Sequence, residues 1–273
     1  MKRKKALTVL GTLLAISVLI AVVLVVFTSD RTYVPSRKDY ESLEMNDVEE
    51  WGTLYLFEEN GLVGYKDADG NVVIEPQFYW AHAFSEGLAF VKGVEGREYQ
   101  TGYIDLAGNL VIPLPTANAG GRFSEGFAHV SIREWDWSSE YSIATGLPGP
   151  FIFIDRMGRN VFGMEFATVS NFEDGLARVS MLKGNMIVID RTGKNAFGME
   201  FRWVFRFIDG LAIVHLLNGN RAFIDRRGEN AFGMEFTSAF EFDRRGYAQV
   251  VLLDGTATYI DREGNLHLDR TWG

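Results

Sequence analysis

The sequence predicts an all-β chain of about six tandem three-stranded antiparallel units after an N-terminal transmembrane helix. The units either close into a propeller-like ring or stay an open twisted array. Three observations carry this expectation. Nearly the same twelve residues recur at a step of 35, as "DRMGRNVFGMEF" (155–166), "DRTGKNAFGMEF" (190–201) and "DRRGENAFGMEF" (225–236), and a fixed period of this size marks a repeat architecture. Between these phrases the apolar residues alternate at period two, and Phe is abundant at 21 residues, both of which suit strands. Ahead of them, Ala6–Phe27 runs without a charge.

That N-terminal run comes first in the chain. At about 1.5 Å per residue its 22 residues cover the roughly 30 Å hydrocarbon core of a bilayer. Lys2, Arg3, Lys4 and Lys5 precede it and should stay cytoplasmic, which places 28–273 outside the cell. A cleaved signal peptide is the alternative. The run is longer than the roughly 7–15 residues of a signal core, and "VVFTSD" offers no small-x-small cleavage site. An uncleaved signal anchor is therefore expected. Residues 28–50 are mostly polar and read as a stalk, with room for a short helix over Tyr40–Glu49. The expected organisation is a cytoplasmic tail (1–5), a membrane helix (6–27), a stalk (28–50) and a repeat domain (51–273).

Charge and composition exclude several functions. The first 27 residues carry four positive charges and no acid, so a whole-chain charge of −9 leaves −13 on the remainder. A domain this acidic lacks the basic surface that nucleic acid requires. With no Cys, disulfides, thiolate metal sites, cysteine nucleophiles and a lipid-modified cysteine are all ruled out. His82, His129, His215 and His267 share no metal-ligand spacing. No cofactor and no metal is expected.

The repeat unit has two signatures. An acid-x-x-Gly turn falls at Asp67/Gly70, Asp105/Gly108, Asp155/Gly158, Asp190/Gly193, Asp225/Gly228 and Asp261/Gly264. Here the Asp is expected to accept backbone N–H bonds and the Gly to supply a positive φ. About 20 residues after each of the first five acids come "FSEGLAFV", "FSEGFAHV", "FEDGLARV", "FIDGLAIV" and "FDRRGYAQV". The first strand of a unit follows that Gly; in "LARVSML", Ala177 and Val179 point one way and Leu176 and Arg178 the other. The second strand ends in "ID", and the third is "NVVIEPQF" in the first unit and "NAFGMEF" later. Phe78, Phe166, Phe201 and Phe236 each precede a second Phe by six residues, at Phe84, Phe172, Phe207 and Phe242. Such a ladder reads as core between neighbouring units. Glu165, Glu200 and Glu235 should alternate outward onto a solvated face.

Two site readings of the repeated acids fail. "DADGN" (67–71) resembles the start of a calcium loop, but loop position twelve, which needs a bidentate acid, is Phe78. A hydrolase needs one carboxylate pair in one groove, whereas equivalent acids on every turn point to architecture. The insert "REWDWSSEYSIATGLPGP" (133–150) lengthens one unit to 50 residues and concentrates Trp135, Trp137 and Tyr141. Aromatics on an inserted loop are candidate ligand-binding residues; the alternative is a long hairpin that folds them onto neighbouring units.

The segments "GYKDADGNVVIEPQFYWAHAFSEGLAFV" and "GYIDLAGNLVIP…FSEGFAHV" resemble the bacterial WG repeat family over about residues 54–268. Later units depart from that pattern: the Pro of "EPQF" becomes Met in "GMEF", and Val63 and Thr101 stand where the Trp of the name belongs. The resemblance implies a β-repeat protein that binds or scaffolds and brings no catalytic residue. The expectation is a membrane-anchored extracytoplasmic protein, not an enzyme, that binds a protein or a cell-wall glycan. The rivals are a carbohydrate-binding module stacking sugars on Trp80, Trp135, Trp137 and Trp203, and a glycan hydrolase.

Overall fold

The computed structural model describes residues 54–93, 101–132 and 150–268. The expected membrane helix, the stalk with its short helix, and the candidate residues Trp135, Trp137 and Tyr141 lie outside the described residues. Among the described residues there is no helix long and apolar enough to cross a membrane. Every regular element there is a strand, and all paired strands are antiparallel neighbours in chain order.

The first sheet contains β1 (Tyr55–Glu59), β2 (Leu62–Lys66), β3 (Val72–Ala81), β4 (Ala89–Gly93), β5 (Gly102–Ile104) and β6 (Leu110–Pro113). The second contains β7 (Phe127–Ser131), β8 (Phe151–Asp155), β9 (Phe166–Val169), β10 (Leu176–Met181) and β11 (Met186–Asp190). The third holds β12 (Trp203–Val204), β13 (Ala212–His215) and β14 (Arg221–Ile224). The fourth holds β15 (Ser238–Ala239), β16 (Tyr247–Val251), β17 (Ala257–Asp261) and β18 (Leu266–His267). Chain-order pairing follows from connections too short to cross over.

The alternation read in "LARV" is real and general. Ala177 and Val179 are buried, and so are Ala89 and Val91, Ala128 and Val130, Ala212 and Val214, and Ala248 and Val250. Small and branched side chains on one face of each strand let the next layer approach closely. Phe90 and Tyr103 of the first sheet share one cluster with Phe123, Ala128, Val130 and Ile154. Ile213 and Phe223 of the third sheet share another with Phe236, Ala239, Ala248, Val250 and Ile260 of the following unit. The two strand faces thus build two successive cores.

The Phe ladder is core, as expected. Phe78, Phe166, Phe172, Phe201 and Phe236 are at most 1% exposed, and Phe84, Phe207 and Phe242 pack half-buried against the same clusters. Edge-to-face or tilted contacts join the rows, with Phe153–Phe172 and Phe223–Phe242 centroids both 5.2 Å apart. Burying each ring is worth about 1.5–3 kcal/mol.

The third strand differs from expectation. "NVVIEPQF" is extended and continues as β3, and "LVIP" forms β6. "NAFGMEF" instead makes a single bridge at Asn160, Asn195 or Asn230 and then turns. The Asn160 and Asn195 side-chain oxygens accept the Gly163 and Gly198 N–H groups at 2.9 and 3.0 Å. A Gly at φ 65° cannot continue a strand, so the phrase loops out and returns at its final Phe. There Phe201 and Met186 exchange two backbone bonds of 2.8 and 2.9 Å. Phe236 and Arg221 do the same at 2.8 and 2.7 Å.

Candidate functional site

The acid-x-x-Gly turns have a structural job. At each one the Asp N–H bonds the carbonyl four residues on, and the Gly N–H bonds the Asp carbonyl. One carboxylate oxygen accepts two further amides; at Asp67 these are Asp69 N–H at 3.0 Å and Asn71 N–H at 2.8 Å. The ionised form is favoured by these bonds. The Asn71 side chain is the main cause of the lowered Asp67 pKa, the Thr192 hydroxyl does the same for Asp190, and His267 leads at Asp261, which falls to about 2. Among the described residues no group of three or more His, Asp or Glu could hold a metal ion. The turn glycines also receive the loop of the preceding unit: a Cβ on Gly193 would lie 2.6 Å from the Phe162 ring, and one on Gly228 would lie 2.4 Å from Phe197.

A second row of turns builds the site. "SEGL", "SEGF", "EDGL" and "IDGL" each close a two-residue hairpin in which the acid and the Gly both have positive φ: Glu86/Gly87, Glu125/Gly126, Asp174/Gly175 and Asp209/Gly210. Reciprocal backbone bonds frame them, such as Ser85 N–H to Leu88 carbonyl at 2.9 Å and its return at 3.1 Å. This is the primed turn that matches strand twist, and Asp-Gly is among its preferred sequences. The turns lie beside one another. The Ser85 hydroxyl donates to the Phe123 carbonyl and the Ser124 hydroxyl to the Phe172 carbonyl, both at 2.7 Å.

The acids at these turns bond across units. Gly126 N–H donates to Glu86 Oε2 at 3.0 Å, and Gly175 N–H to both oxygens of Glu125 at 3.0 Å. Asp174 and Asp209 are one methylene shorter and pair instead with Arg226 and Arg262, the latter at 2.7 Å. Those guanidinium groups also lie over Phe207 and Phe242, at 5.3 and 4.9 Å from the ring centroids. The change from Glu to Asp opens the row. A polar cleft of about 650 Å³ lies there, lined by Glu125, Glu173, Asp174, Arg206, Asp209 and Arg226 with Ser124, Phe172, Phe207 and Gly210. Arg206 Nε donates to Glu173 at 3.2 Å.

Comparison with known proteins bears on what kind of repeat this is. The profile of the WG containing repeat family matches residues 64–96, 153–184 and 188–219. Three of its repeat units match that family. No curated protein matches it. Among solved structures, it is similar to BamB from Moraxella catarrhalis at 15% identity, over 80% of this chain and 70% of that one, with a TM-score of 0.36. It is also similar to the WD40 beta propeller domain of Doa1 at 12% identity, over 79% and 78% of the two chains, with a TM-score of 0.30.

The departures within the WG repeats have a common cause. Gly64 and Gly102 lie under the extended third strand, where a Cβ would come within 2.5 Å of the Ile74 carbonyl oxygen and 2.0 Å of the Ile112 oxygen. The third to fifth units replace that strand with the Asn-capped turn, and the equivalent position holds Ile152, Ile187 or Ala222. Once the strand is gone, the room for a side chain returns.

Of the aromatic candidates, Trp80 and Trp203 fall among the described residues and are not in contact with each other. Trp80 and Trp203 are 40% and 46% exposed but occupy the same position in the first and fourth WG repeats, against His82 and Phe205 respectively. The chain around the insert is described: Ser131 pairs with Phe151, and Ile132 N–H donates to the Pro150 carbonyl at 3.2 Å. The insert therefore leaves from the end of the β7–β8 hairpin. The outward glutamates bond to the preceding loop, Glu200 to Asn185 at 2.9 Å and Glu235 to Asn218 and Asn220 at 3.0 and 2.7 Å. The acids of the "EG" and "DG" turns carried no site reading in the sequence. An acid-Gly pair just ahead of an alternating strand is the hairpin signal that finds them.

Proposed function

We propose that this is a membrane-anchored, extracytoplasmic WG-repeat protein that binds a protein partner through the cleft between its third and fourth acid-Gly turns, without catalysis. One observation carries this reading. Carboxylates repeated in every unit are engaged in turns and cross-unit bonds, while the cleft occurs where the repeat pattern changes. A concave polar surface with an aromatic floor and two arginines is the anatomy of a recognition site. The anchor is supported by the charge-free run Ala6–Phe27 behind four basic residues. An open array of six units is the architecture proposed. In its support, among the described residues the strands in contact are near neighbours in sequence.

The test is site-specific photo-cross-linking in the full-length, membrane-inserted protein. A photoreactive residue at Phe207 should capture a discrete partner, and one at Leu253, which is 61% exposed and remote in sequence, should not. Equal capture at both positions, or none at Phe207, removes the reading. The carbohydrate reading draws on the exposure of Trp80 and Trp203. It wins if envelope glycan retains the protein and Trp203→Ala releases it while Phe207 captures no protein.

A further inference from the structure

At the first two junctions of the turn row the chain supplies its own ligand. Glu86 delivers a carboxylate to Gly126 N–H, and Glu125 delivers one to Gly175 N–H. At the third junction the acid is Asp174, which is too short to repeat the contact and is held by Arg226. The amide across from it, Gly210 N–H, has no acceptor among the described residues. At the fourth junction Gly246 N–H is satisfied by the Asp243 carbonyl at 3.0 Å. Of these four junction amides, only Gly210 lacks an acceptor. Two cationic side chains accompany it in the cleft, Arg206 and Arg226, and Arg226 Nη1 is buried without a hydrogen-bond partner.

We infer that the cleft is a carboxylate-recognition site. It receives at Gly210 the acid group that Glu86 and Glu125 provide from within the chain at the two earlier junctions. The source is an acidic side chain of the partner protein, so the inference deepens the partner-binding reading and rests on it. The same geometry occurs twice in the molecule, where a turn amide in this conformation holds a glutamate carboxylate at 3.0 Å. Four acids and two arginines line the cleft, and each of those acids already has a partner. Glu173 and Asp174 are paired with Arg206 and Arg226, Asp209 is paired with Arg262, and Glu125 is bound to Gly175. An arriving carboxylate meets an amide dipole and guanidinium hydrogens, the donors that bind carboxylates most strongly. A cleft of this volume also has room for the peptide backbone that carries the side chain.

The test reads the amide itself. Full-length protein labelled with ¹⁵N-glycine is titrated with N-acetyl-Gly-Glu-Gly-amide, with its Gln analogue and with acetate. The Gly210 amide should shift and saturate with the Glu peptide, and the Gln peptide should bind roughly tenfold more weakly. Asp174→Glu should fill the site from inside and weaken the peptide response by roughly tenfold. Glu stands at the same positive-φ turn position at Glu86 and Glu125, so the variant keeps its fold and its melting temperature. A tighter response to the Glu peptide than to acetate assigns the ligand to a partner side chain, and an equal response reassigns it to a small acid. A Gly210 amide that ignores the Glu peptide, answers the Gln peptide equally, or responds unchanged in Asp174→Glu overturns the inference. If the amide stays silent while Phe207 still cross-links a partner, the carboxylate site falls and the binding face stands.

Discussion

At Gly193 two demands meet in one residue. Its φ of 80° is strained for any side chain, and the Phe162 ring fills the space where a Cβ would go. Gly198, at φ 65°, has nothing within 4 Å of that position. Gly198→Ala should therefore cost about 1 kcal/mol from backbone strain alone, and Gly193→Ala about 2–4 kcal/mol because overpacking is added. Chemical denaturation of the pair checks it, and equal losses would remove Phe162 from the turn. His129 supplies a second prediction at this scale. Desolvation first, and the neighbouring charge of His82 second, lower its pKa from 6.5 to about 4, so the folded state keeps a neutral ring. The unfolded chain takes up the proton first as pH falls. The stability held by this neutral ring is thus complete above pH 6.5 and drains away between about 6.5 and 4. In His129→Gln the melting temperature should depend less steeply on pH across that window. An unchanged slope would show that the ring titrates normally.

The element that best separates architecture from site is the loop ending in Met-Glu-Phe. Phe201 is 1% exposed in a core shared with Val188, Val204 and Val214, and its backbone closes the loop onto Met186. Phe201→Ala should cost about 3–5 kcal/mol through lost burial and a cavity. Glu200, exposed and bonded only to Asn185, should change stability by no more than about half a kcal/mol on replacement by Ala. A Phe201→Ala protein that melts normally would contradict the core assignment. The cross-unit acids make a subtler case. Glu125→Asp withdraws the carboxylate from Gly175 N–H, which should cost about 1 kcal/mol, and thermal melting reads it. At this scale the sequence was legible where a pattern is local. The Asp-x-x-Gly turn and the Ala-x-Val strand face follow from turn chemistry and period two. The third strand was misread in "NAFGMEF" because its apolar alternation outweighed the central Gly, which the Asn side chain then draws into a turn. The cleft was illegible for a different reason: whether an acid reaches a glycine amide some 36–50 residues away depends on one methylene and on how neighbouring sheets lie.

For the whole molecule, the 35-residue step made the repeat architecture readable, since each unit can bury its faces only against its neighbours. The candidate ligand residues Trp135, Trp137 and Tyr141 rest on their concentration in an inserted loop and lie outside the described residues, whereas the proposed cleft is built around Gly210, Arg206 and Arg226. If the anchor assignment holds, that surface faces outward. Under the proposed anchor, four basic residues ahead of 22 uncharged ones would set the orientation by the positive-inside rule, and the excess of acid in 28–273 suits a self-repelling domain outside the membrane. In intact protoplasts, protease added from outside should therefore digest the repeat domain. Without protease, the full-length chain should stay with the membrane fraction through a high-salt wash that would strip a peripheral protein. Protection of the domain in intact cells would invert the topology and place the cleft in the cytoplasm. Recovery of a soluble form beginning near Thr28 would show instead that the segment is a cleaved signal, leaving the cleft outside the cell on a protein no longer tied to the membrane.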